Sequence, residues 1–186
     1  MEKSTTDAAP GEIVYRIDAQ GRIAYVNETW DRFAAANDAP ELRASAVLGR
    51  PLADFISDLE TRHIVDSLVR RASESGQALQ VSLRCDAPHE RRRLRMTVSP
   101  LEDGGTEFRT VPHRLDVRKD LPLLDRRTPR TGDLLTMCSW CNRVRVGGGW
   151  DEVEVAIDRL ALLEAPALPG LTHGICQDCA DQLMRL

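Results

Sequence analysis

The chain has 186 residues, a formal net charge of −4 and 4% aromatic residues, which accommodates two small domains and counts against nucleic acid or an anionic membrane as the partner. No apolar run approaches the ~18 residues of a membrane helix, and the polar stretch Met1 to Pro10 lacks the apolar centre of a signal peptide. A cytoplasmic protein is expected, with residues 1–10 as a flexible tail.

Taken in chain order, Ile13, Tyr15 and Ile17 alternate with Val14, Arg16 and Asp18 as in a strand. Ala19-Gln20-Gly21 is a turn, and Ile23 to Val26 returns as a second strand. Thr29 to Ala36 has helical spacing, with Trp30, Phe33 and Ala34 on one side, and Leu52 to Ile56 is a short helical turn. Asp58 to Ser73 is the clearest helix of this half: Ile64, Val65, Leu68, Val69 and Ala72 share a face, and Ser75-Gly76 stops it. Leu79 to Cys85 alternates with Cys85 inward, Arg92 to Ser99 alternates with Leu94, Met96 and Val98 inward, and Thr106 to Val111 is a fifth strand.

Strand, strand, short helices, longer helix and three strands is the plan of a PAS domain. Ile17-Asp18-Ala19-Gln20-Gly21-Arg22-Ile23-Ala24-Tyr25-Val26-Asn27 resembles the opening of that family, and Gly49-Arg50-Pro51-Leu52 resembles its G-[KR]-x-[LF] element. The resemblance covers residues 11–116. It implies an α+β fold, a five-stranded antiparallel sheet with helices on one face, often dimeric and used for sensing or protein contact, with no catalysis implied. It leaves the pocket ligand unknown.

Residues 117–133 hold Pro122, Pro129 and Gly132 among mixed charges and are expected to be a linker that docks on the preceding domain. From 134 to 186 the chain is organised by two C-x-x-C pairs, Cys138/Cys141 and Cys176/Cys179. Four thiolates on two tight turns suit tetrahedral zinc and leave no open position, so the site is structural before it is catalytic. A redox dithiol pair and an iron–sulfur cluster are the alternatives. The 34 residues between Cys141 and Cys176 exceed the usual ribbon spacing of about 15–20 and call for a folded insert. Asn142 to Val146 is a short strand and Gly147-Gly148-Gly149 a break. Asp151 is expected to cap a helix with Glu154 as its capping-box partner, Trp150 and Val155 as its hydrophobic staple, and Val153, Ile157, Leu160 and Leu163 as its apolar face. Cys176 to Arg185 is a last helix with both cysteines in its first turn, where free N–H groups favour thiolate.

Cys138-Ser139-Trp140-Cys141, the short basic strand, Gly148-Gly149-Trp150 and His173-Gly174-Ile175-Cys176-Gln177-Asp178-Cys179 resemble a cysteine module at the ends of some bacterial signalling proteins, C-x-W-C … H-G-[IL]-C-x-x-C. Gln177 stands where that pattern often has Pro. The resemblance implies a bacterial source.

Outside the cysteines, His63 is placed for a haem ligand but lies opposite the apolar face of its helix, which disfavours haem. His89 and His113 fall at a turn and a strand end. His173, three residues before Cys176, is placed to hydrogen-bond a thiolate or replace a ligand. Flavin photochemistry is disfavoured because the N-C-R-F-L-Q stretch is absent. Arg84, Arg91, Arg92, Arg93 and Arg95 cluster on one hairpin, either as a solvated face offset by Asp86 and Glu90 or, through outward Arg84, Arg93 and Arg95, as a site for an acidic partner or the linker. Trp140 on its knuckle either forms a partner surface or packs on the PAS half.

The expected function is non-enzymatic signal transduction, a PAS sensor or docking domain coupled to a structural zinc module that contacts a signalling protein, as a homodimer. The alternatives are a thiol/zinc redox switch and a DNA-binding regulator, the latter opposed by the acidic balance.

Overall fold

The computed structural model describes residues 11–56 and 58–185. In chain order the strands are β1 (Ile13–Ile17), β2 (Ile23–Val26), β3 (Leu79–Arg84), β4 (Glu90–Pro100), β5 (Thr106–Val117), β6 (Arg130–Cys138), β7 (Val144–Val146), β8 (Gly149–Asp151) and β9 (Leu168–Gly174). The helices are α1 (Glu28–Ala36), α2 (Ala44–Val47), α3 (Leu59–Ser75), α4 (Val153–Arg159) and α5 (Gln177–Met184). Strands β2-β1-β5-β4-β3 form one sheet and β8-β7-β6-β9 another. No described helix is long and apolar enough to cross a membrane.

The described chain divides into two compact units. One comprises 11–56, Val65–Val81 and Arg95–Pro112; the other comprises Asp58–Ile64, Ser82–Leu94 and 113–185. The second unit therefore takes in the first turn of α3, the ends of β3 and β4 and the later part of β5 together with the cysteine strands.

In the first unit the β1–β2 turn forms because Asp18 Oδ1 accepts the Gln20 and Arg22 amides, both at 2.9 Å, while Gly21 takes φ +74°, which glycine adopts without a Cβ penalty. The second family phrase meets the first here: Ile23 N–H donates to Arg50 O and Leu52 N–H to Gly21 O, each at 2.9 Å. Asn27 caps α1, its side-chain oxygen accepting Trp30 N–H at 3.1 Å while its Nδ2 donates to Glu12 O at 2.8 Å. Tyr15 on β1 stacks on Phe108 of β5 at 4.6 Å and meets Trp30 edge-on at 5.3 Å. Val14, Ile23, Val47, Leu68, Ala72, Val81, Met96, Val98 and Phe108 are buried, each of the larger ones contributing about 1.5–3 kcal/mol through area removed from water.

Gly105 opens β5 where the backbone approaches closely. A Cβ there would lie 2.5 Å from Ile17 O and 3.0 Å from Asp103 Oδ1. Gly105→Ala is expected to destabilise the protein by about 1–3 kcal/mol through overpacking; an unchanged urea midpoint would contradict this.

Neighbouring strands also carry a charge ladder. Glu107 accepts from Arg16 at 2.7 Å and from Arg109 at 2.6 Å, and Arg109 reaches Glu12 at 3.2 Å. Burial alone would raise the Glu107 carboxyl, but the hydrogen bonds from Arg16 and Arg109 outweigh it and hold the group below its ordinary value. A depressed carboxylate stabilises the fold above its unfolded pKa of about 4.3, and that stabilisation is lost as pH falls through the lower folded value. Glu107→Gln is therefore expected to lose stability at pH 7 and to lose less on acidification below about pH 4.3 than the parent; parallel pH profiles by chemical denaturation would contradict it.

In the second unit, β6 runs parallel to β9, with Leu134↔Gly170 through Cys138↔Gly174 in register, and antiparallel to β7. Leu121, Leu123, Met137, Val144, Val146, Val153, Ala156, Ile157, Leu162 and Leu168 form its core. Residues 117–133, expected as linker, thus supply Leu121 and Leu123 to this core and begin β6 at Arg130. Strand β5 continues through Pro112 to Val117, so His113 lies within it.

Other expectations are corrected. Glu152, not Asp151, is the N-cap of α4 and makes no side-chain cap bond; Asp151 lies in β8 and pairs with Arg159. Trp150 pairs with Arg145 across β7–β8 and Val155 is exposed, so no staple forms. The helix ends at Arg159, and Leu162 turns inward while Leu163 is exposed. Cys85 is exposed, because β3 ends at Arg84 and that arginine turns into an ion-pair network.

Candidate metal centre

Strand β6 ends at Cys138, and the chain turns through Ser139-Trp140-Cys141 into β7. The turn is closed by Cys138 N–H to Arg143 O at 2.7 Å and Asn142 N–H to Cys138 O at 3.0 Å, with Asn142 at φ +59°. Strand β9 lies beside β6 and leads to the second pair, fixed by Ser139 N–H donating to Gly174 O at 2.9 Å. Cys176 is the N-cap of α5 and Cys179 sits in its first turn, as the sequence suggests. Parallel pairing of β6 with β9 is what delivers both turns to one end of the sheet.

The four Sγ atoms all lie within 4.8 Å of one another. Cys141 Sγ and Cys176 Sγ are 3.7 Å apart, against about 3.8 Å for the edge of a tetrahedron built on zinc–sulfur bonds of about 2.3 Å. Cys176 N–H donates to Cys138 Sγ at 3.4 Å, and Arg143, its guanidinium held charged by the Cys141 sulfur and Asp178, pairs with Asp178 at 2.8 Å. Hydrogen bonds from the Cys141 and Cys179 thiols hold Cys138 below its ordinary value, and donating those protons pushes Cys179 up; burial pushes Cys176 up. Four sulfurs this close cannot all ionise without a cation among them. The four-sulfur donor set, the 3.7 Å edge and the Cys176 amide donor fit a tetrahedral metal ion.

His173 is exposed on β9 and is not among the clustered donors. His63 is exposed on α3 and His89 at its turn.

The first cysteine turn also makes bonds that sequence reasoning missed. Ser139 Oγ donates to Asp58 Oδ1 at 3.0 Å, and the same oxygen caps α3 by accepting Thr61 N–H at 2.8 Å. Burial would raise the Asp58 carboxyl, but these bonds from Thr61 and Ser139 hold it low. Trp140 is 4% exposed; its Nε1 donates to Ser82 O at 2.8 Å and its carbonyl accepts Arg84 N–H at 2.9 Å. Trp140 is therefore buried rather than exposed on its knuckle. The available signals were a hydroxyl inside a C-x-x-C turn and an Asp at a helix start.

The arginine cluster is mostly consumed internally. Arg84 bonds Asp86 and reaches Glu152 at 2.7 Å, Arg91 reaches Glu154 at 2.9 Å, Arg92 reaches Glu90 at 2.7 Å, and Arg118 reaches Asp86 at 3.2 Å and Glu154 at 3.0 Å. The Asp86 side chain is wholly buried, a charge that must be paired where it sits. Of the three arginines expected to face outward, Arg93 and Arg95 are exposed and Arg84 is not.

A family model for the PAS fold matches residues 9–113. No curated protein matches. Among solved structures, the chain is similar to a domain of an HTR-like protein from Haloarcula marismortui at 15% identity and TM-score 0.42, covering 56% of this chain and 99% of that one. It is similar to the PAS domain of Bordetella pertussis BvgS at 17% identity and TM-score 0.43, covering 56% and 78%. It is also similar to a sensory box sensor histidine kinase from Vibrio cholerae at 10% identity and TM-score 0.42, covering 56% and 83%.

Proposed function

This chain belongs to the PAS fold family, and from that premise we propose that it is a non-enzymatic signalling protein whose PAS domain is coupled to a zinc-stabilised cysteine module. Zinc is held by Cys138, Cys141, Cys176 and Cys179, where it supplies cross-linking of the two turns. Four thiolates at −1 and one ion at +2 leave a charge of about −2, and Arg143 beside Cys141 offsets part of it. We propose a folding organisation in which the PAS domain spans 11–116 and the cysteine module at 134–186 is completed by Leu121 and Leu123 of the preceding stretch 117–133.

One observation carries the coupling. The first cysteine turn bonds the capping residue of α3 through Ser139 and the end of β3 through Trp140. Both α3 and β3 lie within the stretch matched by the PAS model. A change in the order of the metal turn alters the partners available to those two elements, and a change in α3 alters the turn. The output is a protein surface, read by a signalling partner in the cytoplasm. Trp150 is half-buried and Met184 is exposed at the surface, while Trp140 is buried. We further propose a homodimer; of the segment expected to cross over, Met1 to Gly11, residues 1–10 lie outside the described residues.

Amide hydrogen exchange with and without a zinc chelator tests the coupling. Faster exchange at 59–64 and 82–86 after chelation, with 12–26 unchanged, is the expected result. Exchange that changes only within 134–185 would contradict it.

A further inference from the structure

The four sulfurs are not equally reachable. Cys138, Cys176 and Cys179 are 0%, 1% and 4% exposed. Cys141 is half-buried and, with Arg93, His113, Arg143 and Trp140, lines a cleft of about 340 Å³, to which Cys179 also contributes but only at 4% exposure. Attack by a thiolate on an oxidant requires access as well as charge. The cleft gives that access to Cys141 on the first turn, while Cys138 beside it is sealed under the Cys176 amide.

Cys141 also has a disulfide partner within reach on the other turn. Its sulfur is 3.7 Å from Cys176 Sγ, and a disulfide of about 2.05 Å requires the two to close by under about 2 Å. The two residues belong to opposite turns, so a bond between them takes one ligand from each pair.

We propose that Cys141 is the oxidation site of this centre, that hydrogen peroxide or an organic hydroperoxide is its oxidant, and that the product is a Cys141–Cys176 disulfide with loss of the metal ion. This rests on the zinc reading above. In the first step the Cys141 sulfur attacks the terminal peroxide oxygen and the O–O bond breaks; hydroxide leaves and is protonated to water, or alkoxide leaves an organic hydroperoxide and is protonated to the alcohol, and Cys141 becomes a sulfenic acid. In the second, the Cys176 sulfur attacks Cys141 Sγ, the S–O bond breaks, and a second hydroxide leaves and is protonated. Two thiolates, one hydrogen peroxide and two protons give one disulfide and two waters. The Arg143 guanidinium, which lines the same cleft as Cys141, is a donor for the departing hydroxide. Because Ser139 and Trp140 sit between Cys138 and Cys141, the step acts on the turn that bonds Asp58 and Ser82.

Cys85 supplies an internal reference, since it is exposed and outside the cluster. The full-length chain, its zinc content measured beforehand, is titrated with hydrogen peroxide. Metal release is followed with a chromophoric chelator, and disulfides are mapped after alkylation. The expected result is release of one zinc for each Cys141–Cys176 cross-link formed. Oxidation of Cys85 with zinc retained, or a cross-link joining any other pair, would overturn the proposal. Cys141→His keeps a zinc-binding side chain and is expected to release metal about tenfold more slowly; release at the parent rate would also overturn it. Protein that carries no zinc at the outset fails the zinc reading itself, before any oxidant is added.

Discussion

A Cys176→Ser variant will lose its metal and unfold residues 134–185 while the first unit stays folded. Cys176 is 1% exposed, caps α5, and donates its amide to Cys138 Sγ. Replacing it removes one of four sulfurs and leaves three that cannot close the tetrahedron. The core beneath is small, ten buried side chains led by Leu123, Val144 and Val153, and a module of that size depends on its metal. Structural zinc supplies on the order of 10 kcal/mol to such folds, more than a small domain's whole net stability of about 5–15 kcal/mol can readily spare. Hydrogen exchange reads the outcome by segment: full exchange across β6–β9 with protection kept across β1 and β2. A variant that retains metal and protection would contradict the assignment.

Trp140→Ala is the second large effect. The indole is 4% exposed and its Nε1 donates to Ser82 O. Truncating a buried large aromatic costs about 3–5 kcal/mol, a figure that includes part of the penalty for leaving the Ser82 carbonyl without its donor. A fall of that size in denaturant stability is expected. An unchanged midpoint together with loss of a binding partner would instead mark Trp140 as an interface residue, against its observed burial.

The parts legible in the sequence are those fixed by local rules. Asp18 and Gly21 make the first turn, Asn27 caps α1, and the Ile64/Val65/Leu68/Ala72 face of α3 follows from helical period alone. The cysteine pairs declare themselves by spacing. What was hidden depends on distant partners. Strand β6 begins in Arg130-Thr131-Gly132-Asp133, which has no strand alternation, and exists because β9 pairs with it in parallel from 38 residues away at Arg130↔Leu168. Arg84 and Cys85 break the alternation of β3 because buried Asp86 requires arginines beside it, a demand no period reveals. Asp151 looks like a helix cap, yet β8 and Arg159 claim it. The bond between Ser139 and Asp58 spans 81 positions, so the tie from metal turn to α3 could be found only in three dimensions.

The central claim is that four cysteines from two turns hold one zinc ion that orders the turn bonded to α3 and β3. Elemental analysis of the full-length chain, purified without added metal or chelator, tests it most directly. About one zinc per chain is expected, matching the four-sulfur site among the described residues. Metal-free protein, or iron in place of zinc, would contradict it.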